Sequence, residues 1–97
     1  PTTVTAGAIT TEGALSISSL KQKIKDIDEV AEDTGERVKD ISASYTLLSN
    51  NLVEIKGDRF VKVAKFDEKD ANAQDTLRVV LSFGGKTVRK DIKITKE

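Results

Sequence analysis

The chain has 97 residues, the length of a single domain with one core. Its 16 basic and 16 acidic residues cancel, which argues against a dedicated nucleic-acid binder, since such proteins normally carry a basic excess. There is no Cys and no His, so disulfides, thiol nucleophiles, zinc–thiolate sites, Ser-His-Asp triads and imidazole ligands are all excluded.

No apolar run reaches the roughly 18–20 residues of a membrane span. Residues 1–20 lack both a basic region and a compact apolar run, so they do not read as a signal peptide. The absence of Met and the start at Pro1 read as a piece of a longer polypeptide. The first dozen residues, rich in Thr and punctuated by Pro1 and Gly7, read as a linker or an edge strand, with Glu12 the only charge before Leu20. Residues 13–97 then form a single domain. "ALSIS", Ala14 to Ser18, alternates like a first strand.

"SLKQKIKDIDEVAEDTG" is ambiguous. Leu20, Ile24, Ile27, Val30 and Ala31 recur at helical spacing, Ser19 is placed to cap the start and Gly35 to close the end. Against a helix stand Ile, Val, Thr and Asp, which are middling helix formers. One short helix near residues 19–32 is therefore one reading, and a strand over Ile27 to Ala31 turning at Gly35 is the other.

Beyond Val38 the period is two. "DISASYTLL" places Ile41, Ala43, Tyr45 and Leu47 on one face, with Ser42, Ser44 and Thr46 opposite. Ser49 to Asn51 is a turn cluster. "LVEI" and "RFVKVAKF" are extended runs around Gly57, and Asp67 to Asp75 is a polar loop. In "LRVVLSFGGKTVRKDIKIT", Leu77, Val79, Leu81 and Phe83 face one way. Val88, Ile92 and Ile94 share a face, with Thr87, Arg89, Asp91, Lys93 and Thr95 on the other. Gly84 and Gly85 supply the positive φ angles of a two-residue hairpin turn. About seven short strands with regular turn signals suggest a sandwich.

Three stretches carry a resemblance. "EDTGERVKDISASYTLLSNNLVEI", "KGDRFVKV" and "DTLRVVLSFGGKTVRKDIKIT" resemble the strand–turn pattern of bacterial immunoglobulin-like (Big-type) domains over about two-thirds of the chain. The resemblance implies an all-β fold, an antiparallel immunoglobulin-like β-sandwich. It also implies a non-catalytic spacer or lattice-forming module of a bacterial surface-layer protein, adhesin or secreted enzyme, located outside the cell. Its partners would be neighbouring domains of the same polypeptide or protein contacts in a lattice, with no nucleic acid and no membrane span. The alternative is a binding module that grips a protein or glycan through its end loops. For glycans this is weakened by the absence of Trp and the single Tyr.

Two clusters invite chemistry. Asp67, Asp70 and Asn72 offer loop oxygens of the kind calcium uses, but the spacing matches no EF-hand and Lys65 and Lys69 interleave. Calcium is the one cofactor entertained, and a solvated loop is the expected outcome. Lys86, Arg89, Lys90 and Lys93 line the last hairpin, where they suit an anionic polymer or, more simply, the protection of an edge strand. Paired carboxylates for glycoside hydrolysis lack the chain to wall a cleft, and the Ser runs Ser16/Ser18/Ser19 and Ser42/Ser44 have no His partner. No enzyme is expected.

Overall fold

The computed structural model describes residues 2–11, 13–35 and 37–97, with Thr34 and Val38 described by their backbone alone. The punctuation read at Pro1, the charge at Glu12 and the Glu36 step of the resemblance lie outside these residues. In chain order the elements are β1 (Thr3–Thr5), α1 (Ala6–Thr10), α2 (Ile17–Lys23), α3 (Lys25–Thr34), β2 (Ser42–Leu47), β3 (Val53–Lys56), β4 (Arg59–Lys62), β5 (Gln74–Phe83) and β6 (Lys86–Thr95). Single 3₁₀ turns at Val38–Asp40 and Phe66–Glu68 join them.

The all-β sandwich is overturned. One four-stranded sheet runs in the order β1-β6-β5-β2, a separate two-stranded hairpin pairs β3 with β4, and three α-helices of the described residues lie between β1 and β2 in the chain. The fold is mixed α and β, with one helix-covered sheet rather than two sheets face to face.

The correction has a physical cause in residues 17–35. Leu20, Ile24, Ile27, Val30 and Ala31 are all buried, so the 3.6-residue stripe decides the structure over individual propensities. The segment is two helices rather than one. Ser16, not Ser19, is the N-cap, its Oγ accepting from the Ser19 backbone N–H at 3.1 Å. Ile24 breaks the run with extended backbone, ending α2 through its N–H to the Leu20 carbonyl at 2.7 Å while opening α3. Asp26 and Asp28 sit in the first turn of α3, where the helix dipole favours acid. Gly35 ends α3 in the left-handed region at φ 69°, so its positive φ serves a helix C-cap and not a hairpin. "ALSIS" is likewise no strand, because its residues lead into and open α2. Within the segment read as a linker or an edge strand, Thr3–Thr5 form β1, which lies parallel to β6 with Val4 opposite Ile94, and Ala6–Thr10 form the helix α1. "RFVKVAKF" is strand only as far as Lys62.

The long hairpin stands as read. β5 and β6 pair from Gln74↔Thr95 to Phe83↔Lys86, and β2 pairs antiparallel with β5 from Ser42↔Ser82 to Leu47↔Leu77. These registers sort the sheet into two faces. The inner face carries Val4, Ile94, Ile92, Leu77, Val79, Leu81 and Phe83, all buried. Ile9 of α1, Leu20 of α2, Ile27 of α3 and Phe60 of β4 belong to the same core. The outer face carries no helix and is mostly Thr, Ser, Arg and Lys, so hydrophobic burial is one-sided. Among the described residues no helix is long and apolar enough to cross a membrane.

Candidate functional site

The chemistry-bearing residues fall into four places, and each is bound into the scaffold. The first lies at the end of the stretch read from the sequence as a polar loop, where Gln74 and Asp75 instead open β5. Asp75, 1 % exposed, is the buried charged residue of the core. As the second residue of β5 it shares the inner face with Leu77 and Val79. Its Oδ1 accepts from the Ser49 hydroxyl at 2.7 Å and the Asn51 N–H at 2.8 Å, and its Oδ2 from the N–H groups of Leu52 at 2.8 Å and Val53 at 3.0 Å. Asn51 Nδ2 also donates to the Gln74 carbonyl at 3.1 Å. Three consecutive backbone N–H groups make an anion-binding nest, and here the protein's own carboxylate fills it. Desolvation pushes the Asp75 carboxyl up, but the four hydrogen bonds to the ionised form outweigh it and hold the pKa below the ordinary carboxylate value. The signal was present in the sequence: in "DTLRVVLSF" the alternation that buries Leu77, Val79, Leu81 and Phe83 places Asp75 on the same side.

The second place is the loop over residues 67–73. The Asp70 carboxylate accepts from the Asn72 N–H at 2.8 Å, a local turn. Asp67 and Lys69 offer their backbone carbonyls to the ammonium of Lys96, at 3.5 and 2.7 Å. The Lys62 and Lys96 ammoniums stand 4.6 and 5.6 Å from the centre of the Phe66 ring. The loop is therefore organised around protein cations. Among the described residues no three His, Cys, Asp or Glu side chains converge as a metal site.

The third is the basic hairpin, which the pairing splits between two faces. Lys86 and Lys90 lie on the inner parity opposite Phe83 and Val79, whereas Arg89 and Lys93 lie on the outer face opposite Val80 and Thr76. On that outer face Arg78 Nε reaches Asp91 at 3.1 Å across the strands, and this bond, with the charges of Arg78 and Arg89 behind it, lowers the Asp91 pKa. The four basic residues do not form one patch.

The fourth place is the N-terminal clamp. The Thr2 hydroxyl and N–H donate to the two carboxylate oxygens of Asp26 at 2.6 and 3.1 Å, tying the start of β1 to α3. The hydroxyl bond above all holds the Asp26 pKa down, with the Lys90 charge assisting.

The glycines read as turns divide by role. Gly84 and Gly85, at φ 51° and 81°, make the β5–β6 turn, and Gly57, at φ 63°, makes the β3–β4 turn, while Gly35 caps α3. The remaining polar oddity is Tyr45, whose hydroxyl is buried with no hydrogen-bond partner among the described residues. Desolvation raises its pKa. Two surface recesses of the described residues are shallow. One of about 330 Å³ lies between the end of α1 and β4, lined by Thr10, Thr11, Gly13, Arg59, Phe60 and Lys62. The Thr10 and Thr11 hydroxyls there donate to carbonyls of their own helix.

A scan against protein-family models finds no match, and the searches of curated proteins and of solved structures return no similar chain. The class that the fold defines is a small α-plus-β domain with a four-stranded sheet packed on one face and a separate two-stranded hairpin, and no family is assigned.

Proposed function

We propose that this chain is a non-catalytic structural module that acts through its shape and surfaces rather than through a reaction. The observation that carries the proposal is the use of its perturbed carboxylates. Asp75, Asp26 and Asp91, the acids among the described residues whose proton affinity departs from the ordinary value, are each held low by partners within the scaffold. None is raised toward neutrality, as a general acid or base requires. The chain also has no His and no Cys, so the imidazole base and the thiol nucleophile are missing from it. The placement of such a module at a bacterial cell surface, beside neighbouring domains, is supported by the sequence resemblance alone.

Thermal melts test the structural reading. The melting temperature is expected to stay constant on adding calcium, EDTA or a panel of soluble glycans, and a rise of several degrees with any of these overturns it in favour of a binding module. Fractionation of cells producing the full-length parent protein tests the location, because recovery in the cytosolic fraction overturns the surface assignment.

A further inference from the structure

We infer that β2 is an open pairing edge whose occupant is β2 of a second copy of this chain, joined antiparallel about a two-fold axis through Tyr45. The inference stands apart from the function proposed above, because a chain of any function can assemble in this way.

The first step is which backbone groups are free. The Leu48 N–H donates to the Thr76 carbonyl at 2.9 Å, continuing the β2–β5 register by one residue. In an antiparallel ladder, residues alternate between those bonded to the neighbour and those turned away from it. The even-numbered residues Ser42, Ser44, Thr46 and Leu48 therefore bond to β5. Ala43, Tyr45 and Leu47 point their N–H and C=O groups to the open side. No strand pairs there, no helix or other strand lies along β2, and no side chain bonds those groups among the described residues.

The second step is that this edge carries none of the protection other edges have. Proteins blunt exposed strands with charge, proline, bulges or brevity. β1 is three residues long, and the β3–β4 hairpin carries Glu54, Lys56, Arg59 and Lys62. β2 is six residues, "SASYTL", with no charge, no proline and an unbroken one-to-one register with β5. At its end stands Leu48, 49 % exposed, the exposed large apolar side chain of the described residues.

The third step selects the occupant. A two-fold axis perpendicular to the sheet keeps the inner faces of both copies on one side, so paired residues must share parity. With Tyr45 on the axis, Ala43 meets the partner's Leu47, Tyr45 meets the partner's Tyr45, and Leu47 meets the partner's Ala43. All three outward-pointing residues are then bonded on each chain. Shifting the axis to Ser44 leaves Leu47 without a partner within the strand. On the outer face Ser44 meets the partner's Thr46 and Leu48 covers the partner's Ser42. The strand is uncharged throughout, so a copy of itself meets no like charge along it. The joined sheet has eight strands, with the helices of both copies on the same side. An interface of two six-residue edges falls at the weak end of specific contacts, below about 1,200 Å², so the dimer is concentration-dependent.

Sedimentation velocity and an amide-NMR dilution series on the unmodified chain, from about 10 µM to about 1 mM, span the range expected of so small an interface. The sedimentation coefficient is expected to rise with concentration, with the largest amide shifts at Ala43, Tyr45 and Leu47. The double variant S44K/T46K sets lysines opposite each other across the axis on exposed positions. It is expected to keep the wild-type circular dichroism spectrum and lose the concentration dependence. A chain that stays monomeric throughout overturns the inference. So does association that survives in S44K/T46K, or dilution shifts confined to another surface. A chain that is monomeric alone but takes up an unrelated extended peptide at β2 overturns the choice of occupant.

Discussion

Replacing Asp75 by Asn keeps the shape of the side chain and removes its charge, leaving an amide NH₂ facing a nest of N–H donors. Loss of charge-assisted bonds to a buried group of this kind costs about 2–4 kcal/mol, to be measured as the drop in unfolding free energy of D75N by urea titration at pH 7. The pH dependence follows from the same bonds. The folded pKa of Asp75 lies below the unfolded value, so its contribution is complete above about pH 5 and is lost as the pH falls through the folded pKa. Urea midpoints of the wild type are expected to fall on acidification and those of D75N to fall less steeply. Tyr45→Phe is the converse case. It deletes a buried hydroxyl that has no partner among the described residues, so stability is expected to be unchanged or to rise by up to about 1 kcal/mol. The Asp75 site was readable in part, since its parity on β5 is plain from the letters. Its partners were not, because Ser49 to Val53 reach it only through a loop whose course no local pattern specifies.

Turns and caps decide which elements the sequence makes legible. Gly84 at φ 51° and Gly85 at φ 81° form a turn with two left-handed positions, the geometry that Asn-Gly suits best. Gly84→Asn is therefore expected to leave the melting temperature within a degree or two, whereas Gly85→Ala loses about 1–2 kcal/mol to left-handed strain. The β5–β6 hairpin was legible because a period-two pattern and a Gly-Gly pair agree, and nothing competes with them. Residues 17–35 were harder because the same letters fit two frames. Gly35 after Asp33 and Thr34 suits a hairpin turn as well as a helix C-cap, and only the burial of Leu20, Ile24, Ile27 and Val30 on one stripe separates them. The resemblance drew the segment toward strand, and the amphipathic stripe carried it to helix. A strand-to-helix error at this point also removes the second sheet on which a sandwich depends.

At the scale of the molecule, the sheet is closed by the two ends of the chain. β1 comes from the first residues and pairs parallel with β6, the last strand, so Thr3↔Lys93 is among the most distant contacts in sequence. β5 and β6 are joined by two residues and share ten paired positions. Closing a long loop costs more chain entropy than closing a short one, and β1 returns only three residues of pairing for it, together with the Thr2–Asp26 clamp. The hairpin is therefore the stable centre and β1 the margin. In native-state hydrogen exchange the amides of Leu77, Val79 and Leu81 are expected to open only with global unfolding, while those of Thr3 to Thr5 exchange through local opening of lower free energy. Thr2→Ala together with Asp26→Ala removes the clamp and is expected to accelerate exchange in β1 while leaving that of β5 almost unchanged. Equal acceleration in both strands would mean instead that β1 and the hairpin unfold as one unit, with the clamp contributing to the stability of the entire sheet.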